Sequence, residues 1–212
     1  MVAKQRKSAP PPPRASSYHH GNLRRELLDA ALVVFAERGS LDFTLRELAR
    51  AAGVTHSAPY RHFTSKGELV EALQDEVFER LALREREALA TCPPDPRARV
   101  KALGEAYVRF AIAEPVAFRL VLAHPVAEPT KMERGRESYT LLLDALEDAR
   151  TAGVARTDLS ARELALVAWS LVHGLSSLVS SGRVPVSEAR VRRYAELLDE
   201  VFFEGASARS RG

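Results

Sequence analysis

The segment from Thr44 to Lys66 constrains the fold more than any other stretch, because two short helical patterns flank a single glycine. Thr44 is followed three residues later by Glu47, the pairing of a capping box, and apolar residues then recur at helical spacing. Gly53 stands where the first helix must end, a place that favours a residue able to adopt positive φ. A second helix with Thr55 as its N-cap is predicted after the turn. Together they indicate a helix-turn-helix, which lays its second helix in the major groove of DNA.

Positive charge is concentrated in the same part of the chain. Residues 1–66 contain 11 Lys and Arg and 5 Asp and Glu, whereas residues 67–212 contain 20 and 23. The formal charges are therefore +6 and −3, and the basic part coincides with the helix-turn-helix, as phosphate binding requires. The single cysteine, Cys92, excludes a disulfide framework. No run approaches the apolar length needed to span a bilayer and no apolar signal core is present, so a soluble cytoplasmic protein is expected.

Prolines and glycines divide the rest of the chain into helices. An amphipathic helix from Leu23 to Arg38 stops at Gly39, and a Ser65–Glu68 capping box opens a long helix to about Thr91. Further helices are predicted from Pro96 to Glu114, from Pro115 to Leu122, from about Thr130 to Thr151, from Ser160 to Ser181 and from Ser187 to about Glu204. No segment alternates as a strand does, so the prediction is an all-α fold of about nine helices.

In this order the segments resemble the TetR family of bacterial transcriptional regulators over nearly the full chain. The most specific matches are YHHGNLRRELLDAAL from Tyr18, AxxAGV at Ala49–Val54 and PYRHFTSKGEL at Pro59–Leu69. The stretch AWSLVHGLSSL at Ala168–Leu178 is similar to a subgroup with a Trp followed by His-Gly in the penultimate helix. The resemblance implies a homodimer, an effector pocket among the C-terminal helices, and repression that a small ligand relieves.

Four regions follow from this comparison. Residues 18–65 form a three-helix DNA-binding domain, and residues 66–204 form a larger helical domain for effector binding and dimerisation. Residues 205–212 are a disordered tail. Residues 1–17 are basic and proline-rich and form a disordered arm, which either touches the DNA backbone or a minor groove, or only aids solubility.

Pro59 departs from the family pattern, which usually has leucine or another apolar residue before the tyrosine. With Thr55 as N-cap, Pro59 is the fourth helical residue, and its missing N–H removes one bond to the Thr55 carbonyl. Proline is tolerated best near a helix start, so the recognition helix is still predicted, with an altered shape.

Ten side chains of the motif are candidates for DNA contact. Thr44 and Arg46 lie where the first helix begins, and they either meet a phosphate or serve only as an N-cap and a solvated cation. The candidates for reading base edges, with plain solvent exposure as the alternative, are Thr55, His56, Ser57 and Ala58. The further candidates for phosphate contact are Tyr60, Arg61, His62 and Lys66, of which Arg61 alternatively pairs with a local carboxylate.

Eight residues are candidates for the effector pocket, although apolar residues at helical spacing are also ordinary core. They are Tyr107, Phe110, Phe118, Leu122, Tyr139, Leu143, Trp169 and His173. Trp169 and His173 are four residues apart and share a helical face, which either packs in a dimer interface or lines the pocket. Gly174 costs about 1 kcal/mol relative to Ala within a helix, which indicates the close approach of another helix or a ligand.

The last two helices carry more apolar surface than one inner face needs, so pairing with a second chain is predicted. Such a dimer binds double-stranded DNA at a palindromic operator. The leading hypothesis is a repressor released by a small, largely apolar effector. The alternative is an activator or a ligand-independent regulator of the same fold that acts through a protein partner. An enzyme, a metal site, a cofactor and a membrane partner are not expected, since no catalytic pair, phosphate loop or metal-binding cluster occurs.

Overall fold

Eight α-helices and one 3₁₀ turn make up residues 23–121 and 136–206, the part of the chain that the computed structural model describes. The helices are α1 (Leu23–Arg38), α2 (Leu45–Ala51), α3 (Lys66–Thr91), α4 (Pro96–Ala113), α5 (Pro115–Val121), α6 (Arg136–Thr151), α7 (Ala161–Ser180) and α8 (Glu188–Ala206). The 3₁₀ turn, Pro59–Arg61, lies between α2 and α3. These residues include no strand, so the all-α prediction is confirmed. The predicted arm at 1–17 and the predicted helix start near residue 130 lie outside the described residues, and α8 extends into the predicted tail.

Side-chain caps begin several of these helices, as the sequence predicts. The Asp95 carboxylate accepts the Ala98 N–H at 2.7 Å, and Ser160 with Glu163 forms a complete capping box. At α3 the Ser65 hydroxyl accepts a backbone N–H, but the Glu68 carboxylate bonds the N–H of Thr64, at 2.6 Å. The predicted Ser65–Glu68 capping box is therefore only half formed, because Glu68 reaches one residue further back.

Two buried clusters form the core. The first runs from Leu27 of α1 and Leu48 of α2 through Phe63 and α3 to Phe110 of α4 and Leu120 of α5. The second lies among α4, α6, α7 and α8 and is filled by side chains such as Leu146, Leu164 and Phe203. Helix α4 packs against α3, α5, α6, α7 and α8, so it is the central helix of the C-terminal part.

The short helix α5 connects the N-terminal helices to the C-terminal ones. It contacts α1, α3, α4 and α7. The Arg119 guanidinium lies over the Phe35 ring of α1, 5.9 Å from its centroid. The Gln74 amide of α3 donates to the carbonyls of Leu120 at 3.2 Å and Val121 at 3.4 Å. These are two of the carbonyls at the end of α5 that have no hydrogen-bond partner within the helix.

Helix α7 is apolar on two faces. One face is buried and includes Leu164, Val172 and Val179, while the other remains exposed together with part of α8. The exposed apolar residues are Leu166, Val167, Leu171 and Leu178 on α7, and Leu197 and Val201 on α8. By length and composition alone, α7 is the one helix of the described residues that could cross a membrane. The prediction that no run reaches that length was wrong for this segment, because α7 carries a second apolar face beyond the one it packs inside.

Candidate functional site

The first half of the helix-turn-helix is held by a complete capping box and a glycine turn. The Thr44 hydroxyl accepts the Glu47 N–H at 3.2 Å, and the Glu47 carboxylate accepts the Thr44 N–H at 2.7 Å. The bond from the Thr44 backbone is the main cause that lowers the pKa of Glu47. Gly53 has φ +69°, and the N–H groups of Gly53 and Val54 donate back to carbonyls of α2 at 3.1 and 2.9 Å. The end of α2 and the direction of the chain after it are thereby fixed.

The predicted second helix of the motif is not an α-helix. The Ala58 N–H donates to the Thr55 carbonyl at 3.0 Å, and the His62 N–H donates to the Pro59 carbonyl at 2.9 Å, both spanning three residues. Thr55 caps no α-helix; its hydroxyl lies 3.4 Å from that of Ser57. Pro59 has no N–H to offer the Thr55 carbonyl at helical spacing, so that carbonyl accepts from Ala58, three residues on. A bond across four residues, from the Phe63 N–H to the Pro59 carbonyl at 3.0 Å, closes the turn.

Most of the side chains predicted to contact DNA are exposed on this turn and its flanks. The exposed ones are Thr44, Arg46, Thr55, His56, Ser57, Tyr60, Arg61 and His62. Ala58 and Lys66 are half-buried, and the Lys66 ammonium lies 5.1 Å from the centroid of the Phe43 ring. Pro59 and Phe63 are buried beneath them. The arrangement presents hydroxyl, imidazole, phenol and guanidinium groups on a well-packed base, which suits contact with phosphates and base edges.

Four of the predicted pocket residues meet inside the C-terminal part. The Trp169 indole N–H donates to the Tyr107 hydroxyl at 3.3 Å, and that hydroxyl lies 2.8 Å from His173 Nδ1. The Phe118 ring packs beside His173 and Tyr107, with its centroid 5.0 Å from that of His173 and 5.7 Å from that of Tyr107. We call Tyr107, Phe118, Trp169 and His173 the aromatic cluster. Trp169 therefore faces α4 of its own chain, and His173 faces both α4 and α5.

Hydrogen bonds and burial hold the aromatic cluster uncharged. The Tyr107 hydroxyl accepts from Trp169 and shares a second hydrogen bond with His173 Nδ1. Burial lowers the pKa of His173, and burial raises the pKa of Tyr107 to about 12. At neutral pH both side chains are thus uncharged.

The remaining pocket candidates are Phe110, Tyr139, Leu143 and Leu122. Phe110 is fully buried, with the Arg84 guanidinium 5.7 Å from its ring centroid. Leu143 is half-buried against the second core, and Tyr139 is exposed on α6. Leu122 lies outside the described residues. The structure therefore joins four of the eight predicted residues in the aromatic cluster, with Phe110 in the same buried core, whereas Tyr139 and Leu143 lie on α6.

A separate surface cleft of about 340 Å³ lies between α4 and the start of α8. Ile112, Val186 and Val191 line its apolar part, and the Arg109–Glu188 ion pair, with N···O 2.6 Å, crosses its edge. None of the described pocket candidates lines this cleft, so it is distinct from the aromatic cluster.

Comparison with known proteins decides the family. Residues 27–73 match the family described as bacterial regulatory proteins, tetR family, and residues 100–201 match the one described as tetracyclin repressor-like, C-terminal domain. KstR2, an HTH-type transcriptional repressor of Mycobacterium tuberculosis, is 30% identical over 143 residues, which cover 64% of this chain and 70% of KstR2. The chain belongs to the TetR family.

Two further proteins are similar to this TetR-family chain. FasR, an HTH-type transcriptional activator of Mycolicibacterium smegmatis, is 33% identical over 126 residues. The matched residues cover 59% of this chain and 57% of FasR, so the chain spans a little over half the length of that relative. A solved structure of a protein with unknown function from Rhodococcus sp. RHA1 is 33% identical, with a TM-score of 0.74 over 91% of this chain and 100% of that one. The resemblance to the family is thereby confirmed, while the Trp…His-Gly subgroup stays a prediction.

Glu85 is a residue of this TetR-family protein that sequence reasoning missed. Its side chain on α3 is only 4% exposed, and its Oε2 atom has no hydrogen-bond partner. Burial raises the pKa of Glu85 to about 7, which a hydrogen bond from Ser138 partly offsets and the charge of Glu137 reinforces. Burial is the main cause of the raised pKa of Tyr107, and the Glu85 charge also raises it.

A signal for Glu85 does exist in the sequence. Val77, Leu81 and Glu85 recur every four residues on α3 and share one face, and all three are buried. A carboxylate on an otherwise apolar stripe is uncommon, because charged residues are almost never fully buried without a partner.

We expect the titration of Glu85 to make stability fall as the pH rises. Since its folded pKa lies above its ordinary value of 4.5, the folded state holds a proton that the unfolded state has released between these values. The free energy of unfolding of Glu85→Gln minus that of wild type is expected to grow by about 2–3 kcal/mol from about pH 5 to pH 8. Urea denaturation across this range measures it. Glu87→Gln, at an exposed position on the same helix, should show the same pH dependence of the free energy of unfolding as wild type. If Glu85→Gln also shows the wild-type pH dependence, Glu85 does not titrate in this range.

Proposed function

We propose that this protein is a ligand-responsive transcriptional repressor. It binds a palindromic operator as a homodimer in the cytoplasm, and a small, largely apolar effector releases it. The observation that carries the proposal is the exposed polar set of the helix-turn-helix above the buried side chains of Leu48, Pro59 and Phe63. The similarity to KstR2, which is a repressor, supports the same sign of regulation.

The 3₁₀ turn and the loop before it present the side chains that read DNA. Thr55, His56, Ser57 and Ala58 contact base edges, since hydroxyl and imidazole groups exchange hydrogen bonds with them and methyl groups meet thymine. The remaining polar groups of the motif contact phosphates, which positions the protein without selecting sequence. Those residues are Thr44, Arg46, Tyr60, Arg61, His62 and Lys66.

Dimerisation uses the exposed apolar face of α7 and α8. Leu166 is 60% exposed and Val201 is 58% exposed, and a contiguous apolar surface of this kind marks an interaction site. Gly174 belongs to the exposed side of α7, and among the described residues no atom beyond its chain neighbours and the nearby backbone of α7 lies within 4 Å of the position a Cβ would take. The close approach that its lack of a side chain permits is therefore supplied by the second protomer.

The aromatic cluster forms the effector site, and α5 transmits its state. Phe118 belongs to the cluster, whereas the next residue, Arg119, lies over Phe35 of α1. An effector that moves Phe118 thus moves a contact of the N-terminal helices. The ligand favours a dimer whose recognition segments are spaced wrongly for the operator, and by reciprocity DNA weakens ligand binding.

Fluorescence anisotropy on DNA from upstream of its own gene tests the proposal, with a scrambled duplex as control. A repressor is expected to bind the native fragment at least about a thousandfold more tightly at physiological salt. Equally weak binding to both duplexes contradicts an operator at this place and favours a regulator that acts through a protein partner.

Arg46→Gln is expected to weaken binding to every duplex by a similar factor and to reduce the slope of log affinity against log salt by about one. The reason is that a phosphate contact releases counterions but carries no base information. Titrations at several salt concentrations measure the slope. Arg183→Gln, an exposed arginine beyond α7, should leave the slope unchanged, and an unchanged slope for Arg46→Gln removes Arg46 from the phosphate contacts.

A further inference from the structure

The surface cleft between α4 and the start of α8 is large enough to hold a small molecule. Its volume of about 340 Å³ lies within the range of ligand pockets in proteins, about 300–1,000 Å³. Ile112, Val186 and Val191 form its apolar part, in which Val191 is buried and Val186 is exposed. The cleft thus offers apolar contact to a short hydrocarbon chain that enters from the surface.

One edge of the cleft carries more positive than negative charge. Arg84 of α3 lines the cleft, and its guanidinium lies 2.7 Å from one oxygen of the Glu114 carboxylate. The other oxygen of that carboxylate lies 2.6 Å from the Arg80 guanidinium. Two cations therefore share one anion, and a ligand carboxylate beside Arg84 would make this group of charges neutral.

Arg84 is held in place before a ligand arrives. Its guanidinium lies 5.7 Å from the ring centroid of Phe110, which is fully buried, and its Nη2 donates to Glu114 at 2.7 Å. A guanidinium has five N–H donors, so the bond to Glu114 leaves donors for a second carboxylate. A planar guanidinium in a fixed position suits a carboxylate, because it can form two parallel hydrogen bonds with it.

The opposite edge of the cleft is balanced in charge. Arg109 donates to the two oxygens of Glu188 at 2.9 and 2.6 Å and to Glu105 at 2.8 Å. Arg192 also donates to Glu188, at 3.3 Å. Two cations meet two anions at this edge, so its carboxylates are already compensated. The surplus of positive charge beside Arg84 therefore decides which sign of charge the cleft prefers.

We propose that this cleft binds a small monocarboxylate with a short hydrocarbon chain. The ligand carboxylate pairs with Arg84, and the chain lies against Ile112, Val186 and Val191. The ion pair of Arg84 with Glu114 is partly exposed and therefore weak, so a second carboxylate can join it. None of the residues that line the cleft belongs to the aromatic cluster, and binding here does not depend on the proposed repressor function.

Three probes of equal chain length test the charge preference on the full-length protein at neutral pH: hexanoate, hexanol and hexylamine. Isothermal titration calorimetry measures their affinities. Hexanoate is expected to bind at least about tenfold more tightly than hexanol, because a hydrogen bond to an ionised group is about twice as strong as a neutral one. Hexylamine is expected to bind more weakly than hexanol, since its ammonium would meet the Arg84 guanidinium. Hexanoate that binds no more tightly than hexanol, or not at all, contradicts the proposal.

Two variants locate the site within the cleft. Arg84→Gln is expected to bind hexanoate about tenfold more weakly than wild type, whereas its affinity for hexanol should change little. Val186→Glu places an anion in the apolar part at an exposed position, and it is expected to weaken hexanoate binding by at least as much. Arg86→Gln is the matched control, because Arg86 is an exposed arginine of the same helix that does not line the cleft. This variant should retain the wild-type affinity, and circular dichroism establishes that all three are folded.

Wild-type affinity for hexanoate in Arg84→Gln or in Val186→Glu means that the acid binds elsewhere, which overturns the proposal. An equal loss of hexanoate and hexanol affinity in Arg84→Gln overturns the pairing with the guanidinium. If Arg84→Gln does not fold, Val186→Glu decides the location of the site. Operator binding measured without any probe tests the proposed function separately, so a protein that binds its operator but not hexanoate overturns only the carboxylate site.

Discussion

A protein carrying both Leu171→Glu and Leu178→Glu is expected to be a monomer that binds its operator at least about a thousandfold more weakly than wild type. Both leucines are exposed, and they lie seven residues apart on the same side of α7. In the proposed dimer each is buried, and an unpartnered carboxylate in an apolar interface costs several kcal/mol. A monomer holds only one recognition segment, so it retains little more than non-specific affinity. Sedimentation velocity and anisotropy measure the two effects.

Leu83→Glu is the matched control, because it makes the same change at an exposed leucine of α3. This variant should remain dimeric and bind DNA as wild type does. A double variant that still sediments as a dimer contradicts the α7 and α8 interface. A monomeric double variant with full operator affinity contradicts the need for two recognition segments.

Phe63→Ala is expected to lower the free energy of unfolding by about 3–5 kcal/mol and to abolish operator binding. Phe63 is 1% exposed and lies in the same buried cluster as Leu27 and Leu48, so its loss leaves a cavity beneath the recognition turn. Urea denaturation and anisotropy measure the two consequences. An unchanged unfolding free energy would mean that the turn does not depend on this side chain.

Tyr60→Ala is the matched aromatic truncation, three residues earlier in the sequence. Tyr60 is 51% exposed, so its removal should change stability by no more than about 0.5 kcal/mol. Operator affinity should nevertheless fall by about tenfold, the value of one charge-assisted contact to phosphate. Wild-type affinity in this variant excludes Tyr60 from the DNA contacts.

The parts of the fold that local signals determine were predictable from the sequence. Helix α1 has the predicted bounds, because a helical apolar stripe meets a glycine that adopts positive φ at position 39. The starts of α4 and α7 agree as well, since Asp95 and Ser160 each cap their helix with their own side chain. In each case the determining interaction spans only a few residues.

The remaining features depend on interactions that no local pattern reports. Tyr107 and His173 are 66 residues apart, and they meet only because α4 packs against α7. Glu85 is hidden among many charged residues, and only its place on an apolar stripe distinguishes it. The prediction of an α-helix after Thr55 was wrong for a different reason. The sequence predicts the missing bond at Pro59, but whether the chain then keeps the α-helix depends on competing hydrogen bonds of similar strength.

The 3₁₀ turn has a consequence for how this regulator can evolve. Thr55, His56 and Ser57 are exposed and precede the turn. Because they are not part of an α-helix, the helix propensities of their side chains do not affect stability. Substitutions at exposed positions of this kind usually change stability by no more than about 0.5 kcal/mol. Under the proposed function, these three residues are free to diverge toward a new operator after gene duplication, while Pro59 and Phe63 preserve the scaffold beneath them.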